Sequence, residues 1–407
     1  MERHAAGKQR NGVLRLLSLE LIFSDERCAQ ALSDEQFLGA MARFEAALAV
    51  AAAHAGLVPS AHAQTIARVC AGARFDASAL ARVAREAGTL AIPFVKELTA
   101  QVAAVSPEAA RHVHAGATSQ DVIDSACALR LKAAAERIVE LTRHLGDGAA
   151  RLAERHAGTP TVARTLLQPA LPVPFGWKAA VWLSLVARGH QGFCRAAAQA
   201  CVLQLGGPAG TLSAFGGKGA AVATALSAEL ALPLAPVTWH SARDGFARLG
   251  AESAILAGAA AKIARDVSLL MQPEVGEAAE ASRPGRGGSS SMPHKRNPAL
   301  CMLALEAAQR TPALAATLLG ELVPEHERGL GQWQSQWFTL RELFNATSSA
   351  VAAMAEVLQG LEVDVDAMRS NVDRLRVRLG TDAPPASGDE AAAMIERALA
   401  MWRETAP

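Results

Sequence analysis

Residues 283–298 hold the densest set of groups able to move a proton and hold an anion. Gly285, Gly287 and Gly288 lead into Ser289, Ser290 and Ser291, and Met292-Pro293-His294-Lys295-Arg296-Asn297-Pro298 follow. Residues 283–297 include four Lys or Arg side chains, one His and no acid. Such a segment fits a flexible basic connector. It fits equally a lid over a carboxylate-rich ligand, with Lys295 as point charge and a serine as proton-transfer group. A serine hydroxyl is a poor base near neutral pH and needs an adjacent cation and donated backbone hydrogen bonds to hold its alkoxide. Asn297 is placed to cap a helix starting at Pro298, a favoured first-turn residue.

Other polar clusters stand apart in the chain. His114-Ala115-Gly116-Ala117-Thr118-Ser119-Gln120-Asp121 offers hydroxyls and an imidazole, although Ser119 also suits a plain N-cap for the helix through Val122, Ile123 and Leu129. Gly206-Gly207-Pro208-Ala209-Gly210-Thr211 is glycine-rich without being a phosphate loop. Lys218 follows Gly217, but Leu212 stands where that loop needs an earlier glycine and Gly219 where it needs Ser or Thr. Trp239-His240-Ser241-Ala242-Arg243-Asp244 and Glu325-His326-Glu327-Arg328 complete the set. The last also fits an exposed charged turn.

These loops need a scaffold, and the scaffold reads as all-α. Phe37, Met41, Phe44 and Leu48 form one helical stripe, with Ser33 and Gln36 as a capping box and Gly56 and Pro59 as the stop. Ala/Leu/Val-rich windows at about 178–203, 220–232, 250–272, 299–319 and 340–361 suit long helices whose small side chains allow close packing. The segments 111–120, 158–176, 205–219, 233–245, 281–298 and 322–332 separate them as loops. The layout is a small N-terminal helical domain (1–110), a long-helix bundle (111–365) and a short tail (366–407). A break near Asn371 precedes the stretch 380–388, and a short amphipathic helix covers 394–403.

Composition narrows the partners. The 407 residues are 51% hydrophobic and 19% charged, enough for a sizeable core. Forty basic against 39 acidic residues give a net charge of +1, which argues against a general nucleic-acid or membrane-surface binder. Six scattered cysteines without a CxxC pair read as buried free thiols in a reducing cytoplasm. Arg3, Lys8, Arg10 and Arg15 precede or interrupt an apolar stretch too broken for a secretory signal. No cluster suggests a metal, nucleotide or redox cofactor.

The run from Gly288 to Pro298 resembles the GSSxMPxKxNP signature of the fumarase/aspartase superfamily, matched without a gap. The segment from His114 to Asp121 resembles the superfamily's HxGxTSxD loop, and residues 206–211 its glycine-rich loop. Ala91-Ile92-Pro93-Phe94-Val95-Lys96, the WHxxRD segment and Pro324 to Trp333 are most similar to the bacterial 3-carboxy-cis,cis-muconate cycloisomerase branch. The resemblance spans roughly residues 15–372. It implies a homotetramer whose sites each draw on three chains, and a tricarboxylate diene closed to 4-carboxymuconolactone by anti addition of its own carboxylate. It further implies Ser289, by register among the three serines, as proton-transfer group. Thr118, Ser119, Lys295 and Asn297 would hold the aci-carboxylate, and His114, Gln168 and Arg328 the other carboxylates. Arg243 and His294 are further candidates.

Three departures carry chemistry. Lyases and hydratases of the superfamily place a histidine after the threonine of a T-H-x-Q segment; in Arg164-Thr165-Leu166-Leu167-Gln168 that position is Leu166. An amine or hydroxide leaving group needs a general acid, whereas a carboxylate, with a pKa near ~4, leaves without one. The loss is awkward for hydratase chemistry and harmless for lactone closure. It also admits β-elimination of a good leaving group from a succinate-like substrate, or an inert structural paralogue, although intact Ser289, Lys295 and Asn297 count against the latter. Gln336 stands where related cycloisomerases tend to have Glu, and the family's C-terminal helical region is larger than the stretch after Asn371.

Overall fold

The computed structural model describes residues 20–292, 294–380 and 388–405. Pro293, the basic N-terminal residues from Arg3 to Arg15 and residues 381–387 lie outside that description. The described residues form fourteen α-helices and two small two-stranded sheets. The N-terminal helices are α1 (Glu26–Ala31), α2 (Asp34–His54), α3 (Ser60–Gly72), α4 (Ala77–Ala87), α5 (Ala91–Ala103) and α6 (Pro107–Ala110). Then come α7 (Ser119–Arg155), α8 (Phe175–Ala200), α9 (Gly219–Leu230), α10 (Asp244–Leu270), α11 (Ala299–Gly320), α12 (Gln332–Gln359), α13 (Val365–Leu379) and α14 (Gly388–Thr405).

In α2 the expected stripe is buried, with Met41 and Phe44 wholly enclosed. Ser33 Oγ accepts from the Gln36 N–H at 3.2 Å, while the Ser33 N–H donates to the Gln30 carbonyl at 3.1 Å, so one half of the capping box is taken by the preceding turn. By length and composition α2 is the one described helix able to span a bilayer, but 67% of its most apolar window is buried inside the protein. It is a core helix packed on α3, α7 and α9.

Five long helices make the bundle. α7 and α12 run parallel: Trp333 Nε1 donates to Asp124 Oδ1 at 2.9 Å near one end, and Leu358 lies over Gly148 near the other. A Cβ on Gly148 would sit 2.9 Å from Leu358 Cβ, so only glycine allows this approach. α8 runs antiparallel to α10, joined by Trp182 Nε1 to Asp266 Oδ2 at 2.7 Å. α11 and α12 complete the alternation, and buried residues from Cys28 to Trp402 form one continuous core. Five cysteines are buried within it and Cys194 is half-buried; all six are free.

Two expectations need correction. The segment 158–176 is a β-hairpin, β1 (Pro160–Thr165) antiparallel to β2 (Gln168–Pro174). Its three β2 prolines are tolerated because a two-stranded sheet consists of edges. The turn is Leu166-Leu167, with φ of +51° and +65°, a pattern that normally selects Asn or Gly. Leu166 is 97% exposed. Second, Asn297 does not cap α11. The Leu300 and Cys301 N–H groups donate to the buried Glu280 carboxylate at 3.2 and 2.8 Å, which satisfies that helix end from outside its own loop. Glu280 follows β3 (Ala278–Ala279), paired with β4 (Glu362–Val363).

Near the C-terminus, α13 runs through Asn371 without a break, and the Asn371 amide donates to Glu277 Oε1 at 2.6 Å. α14 returns to the bundle. Its Trp402 donates from Nε1 to Asp147 Oδ1 at 2.9 Å and packs edge-on to His190. The indole fills a notch that exists because residue 146 is glycine: a Cβ there would lie 2.2 Å from the ring. Gly→Ala inside an exposed helix ordinarily stabilises it. Gly146→Ala is expected instead to destabilise by about 1–3 kcal/mol through overpacking, seen as a lower melting temperature and faster proteolysis of α14.

Candidate active site

One cluster sits where α7 begins. Thr118 precedes the helix with extended backbone, and its N–H donates to Asp121 Oδ2 at 3.0 Å. Asp121 is fully buried and also accepts from the Gly206 and Gly207 N–H groups, at 3.0 and 2.9 Å. Its Oδ1 lies 2.8 Å from His240 Nε2. One carboxylate thereby ties the 114–118 loop, the glycine-rich loop and the Trp239-His240 segment together. Gly207 has φ +71°, and a Cβ there would lie 2.8 Å from the Gly116 carbonyl, which is why the loop needs glycine. Arg328 closes the cluster, donating to Thr118 Oγ1 at 3.2 Å and to the Gly207 and Pro208 carbonyls at 2.9 and 3.0 Å. Ser119 is half-buried as the first residue of α7. His114, at φ +58°, sets Nδ1 2.6 Å from Glu45 Oε1. Burial pulls its pKa down, but the Glu45 charge and hydrogen bond outweigh that and hold it above the ordinary histidine value.

Arg243 does not belong to this surface. It is 3% exposed, with Nη1 and Nη2 on Asp124 at 2.7 and 3.1 Å and Nε on Gln336 Oε1 at 3.0 Å. Its guanidinium lies over Trp239 and Phe246. The expectation that Arg243 binds substrate gains no support from this arrangement, because its hydrogen-bonding groups are spent on Asp124 and Gln336 inside the core. Gln336 is equally buried, and its neutral amide leaves Asp124 alone to balance Arg243. Nearby, burial raises the Glu321 pKa despite hydrogen bonds from Ser335 and Gln336. A glutamate at 336 would add a further carboxylate to this buried group.

The second cluster is the 281–298 loop. Its neck is the Asn297 N–H donating to the Gly287 carbonyl at 2.8 Å, where Gly287 has φ +61° and a Cβ would meet the Asn297 carbonyl at 2.3 Å. Ser289 is half-buried and its Oγ accepts from the Met292 N–H at 3.2 Å, the donated backbone bond that an alkoxide requires. Ser290, Ser291, His294 and Lys295 are exposed, and Asn297 is half-buried. Three of the four cations from 283 to 297 are anchors. Arg283 and Arg286 pair with Glu356, the former at 2.6 Å, and Arg296 pairs with Glu362 at 3.1 Å. Lys295 alone among them is left for a ligand, so the segment is no general basic patch. Gln168 is exposed beside the hairpin tip, and Arg164, two residues before the turn, pairs with Glu277 at 2.7 Å. Among the described residues no group of three or more His, Cys, Asp or Glu is placed to hold a metal ion.

Within one chain the clusters lie at opposite ends of the bundle. Arg328 precedes α12, whereas Glu356, which anchors the serine loop, lies in its last turn; at ~1.5 Å per residue the separation is on the order of 35 Å. The hairpin follows the far end of α7, a helix about 55 Å long by the same rise. His114, Thr118, Ser119 and Arg328 come together at one end, and Ser289, His294, Lys295, Asn297 and Gln168 lie toward the other. Residue type and spacing alone give no site role to Glu45, Asp121, Asp124 or Trp333. Of these, Asp121 was visible as the third residue after a Thr N-cap.

A helical bundle of this order, with a serine-bearing loop at one end and a hydroxyl-rich helix start at the other, can be compared with known proteins. The chain belongs to the fumarase/aspartase superfamily: the family model described as "Lyase" matches residues 23–311. It is 50% identical over 344 residues to the 3-carboxy-cis,cis-muconate cycloisomerase of Bradyrhizobium diazoefficiens, covering 84% of this chain and 76% of that protein. It is 42% identical over 353 residues to the nitrosuccinate lyase of Streptomyces davaonensis, covering 84% and 74%. The crystal structure of 3-carboxy-cis,cis-muconate lactonizing enzyme from Pseudomonas putida superposes with a TM-score of 0.88 at 36% identity, covering 96% of this chain and 99% of that one.

Proposed function

We propose that the chain converts 3-carboxy-cis,cis-muconate to 4-carboxymuconolactone, a step of aromatic-acid breakdown, in a homotetramer whose sites are shared between copies. The likeness to 3-carboxy-cis,cis-muconate cycloisomerases carries the reading, and Leu166 agrees with it: the hairpin tip offers no acid or base, and lactone closure, unlike loss of an amine or hydroxide, needs none there. An internal carboxylate forms the C–O bond while the carbon α to a second carboxylate gains the electron pair. Ser289 gives its proton to that carbon and is reprotonated from solvent. The transient aci-carboxylate carries extra charge that fixed donors must meet, a role assigned to Thr118, Ser119, Lys295 and Asn297. His114, Gln168 and Arg328 orient the remaining carboxylates, with His294 at the rim. The end-to-end separation of the clusters supports sharing, because one chain's Ser289 cannot meet its own Thr118. A cytoplasmic location is part of this reading, supported by six unpaired thiols.

The test is the ultraviolet absorbance of the diene, which is expected to disappear on addition of the protein. Sharing has its own test. Ser289→Ala and Thr118→Val, each inactive alone, are expected to recover about a quarter of wild-type activity when dissociated, mixed equally and reassembled, since random assembly restores that share of sites. No recovery would put both residues in one chain's site. The likeness to nitrosuccinate lyase supports a second reading, β-elimination of a good leaving group, which Leu166 equally permits. Turnover of nitrosuccinate with the diene untouched would favour it.

A further inference from the structure

Glu45 stands on the buried face of α2, among Met41, Phe44 and Leu48, and is 1% exposed. A carboxylate in such a place is strongly destabilising unless something offsets its lost hydration. Among the described residues its carboxylate has one hydrogen-bond partner, His114. Oε1 lies 2.6 Å from Nδ1, and the buried Oε2 has no hydrogen-bond partner. Of the pair, the Glu45 side chain is wholly enclosed while that of His114 is 17% exposed, so a ligand meets the ring and not the carboxylate. His114 is also held at φ +58°, a backbone state a non-glycine residue adopts only when its surroundings impose it.

We propose that Glu45 is a positioning residue of this site, gripping the His114 ring by Nδ1 so that Nε2–H is the donor it presents to a substrate carboxylate. The assignment rests on the reading of His114 as a carboxylate-binding group. The contact favours the charged ring, because a histidine bonded to a buried carboxylate gives up its second proton less readily. The charged and titratable neighbours are few. Asp121 on α7 also favours the charged ring, and the Cys70 thiol on α3 is pushed up to about 12 by burial and the Glu45 charge. His112 stacks on His62 instead.

The sign of the pH dependence follows. A histidine whose folded-state pKa is raised keeps its charge, and the binding that depends on it, below the ordinary value near 6.5; both are lost only as pH rises through the raised value. In Glu45→Gln the loss moves to lower pH. Expected at pH 7.5 is a KM for the diene about tenfold higher with kcat within about twofold, the KM difference shrinking below pH 6. Glu45→Asp, which keeps the charge but shortens the reach, is expected to fall between and covers failure of the glutamine variant to fold. The NMR titration of His114 Cε1–H, assigned with His114→Asn, needs no turnover. Its midpoint should stand above the ordinary value in the wild type and fall in Glu45→Gln. An unmoved midpoint, or a KM equal to wild type at every pH, overturns the proposal. Loss of diene turnover in the wild type with the midpoint shift intact would instead count against the function proposed above.

Discussion

Ser289→Ala is expected to lower kcat for diene loss by about a thousandfold, the middle of the range for removing a positioned proton-transfer group, while leaving the melting temperature unchanged. The two halves of that expectation have separate grounds. In the proposed reaction the hydroxyl supplies the proton to carbon, and its Oγ receives the Met292 N–H at 3.2 Å, so charge on the oxygen is met by a donor already in place. Structurally the hydroxyl supports little. It lies on a loop rather than in the core, and Met292 is 41% exposed, so water replaces the lost acceptor. Changes of this kind stay within about 0.5 kcal/mol. Ser290→Ala and Ser291→Ala, at exposed positions, are expected to keep kcat within about threefold. Equal losses for all three serines would mean that loop conformation, not a particular hydroxyl, limits the rate.

How much of this was legible in the sequence differs from element to element. Ala-rich windows announce α8, α9 and α11 closely, because burial and propensity agree there. α12 starts at Gln332, eight residues before its apolar window, since its first two turns bury Trp333 and Gln336 against Asp124 and Arg243. A polar contact of that kind leaves no apolar stripe to read. The hairpin hid behind its prolines, which ordinarily argue against a strand and are harmless only on an edge. Asn297 followed a sound local rule and lost to Glu280, a residue seventeen positions earlier that chain topology brings to the helix end. Glu45 was visible only as an interruption of a stripe. Its partner lies 69 residues away, a relation that no local pattern encodes.

Arg243 makes the same point with the largest stability effect. A sequence motif does not say which way a side chain faces. Arg243→Met should remove the cation but keep most of the stem's packing against Trp239 and Phe246. Asp124 is then left buried, still accepting from Gln120, Gln204 and Trp333 but with no cation beside it. Removing one partner of a buried pair costs about 3–5 kcal/mol, so a large fall in melting temperature is expected. Asp124→Asn placed on top should cost much less than its effect in the wild type, because the two side chains share one interaction and their effects are not additive. In whatever fraction of Arg243→Met remains folded, KM for the diene should match the wild type. A raised KM at an unchanged melting temperature would return Arg243 to the substrate and require the core contacts to open during turnover.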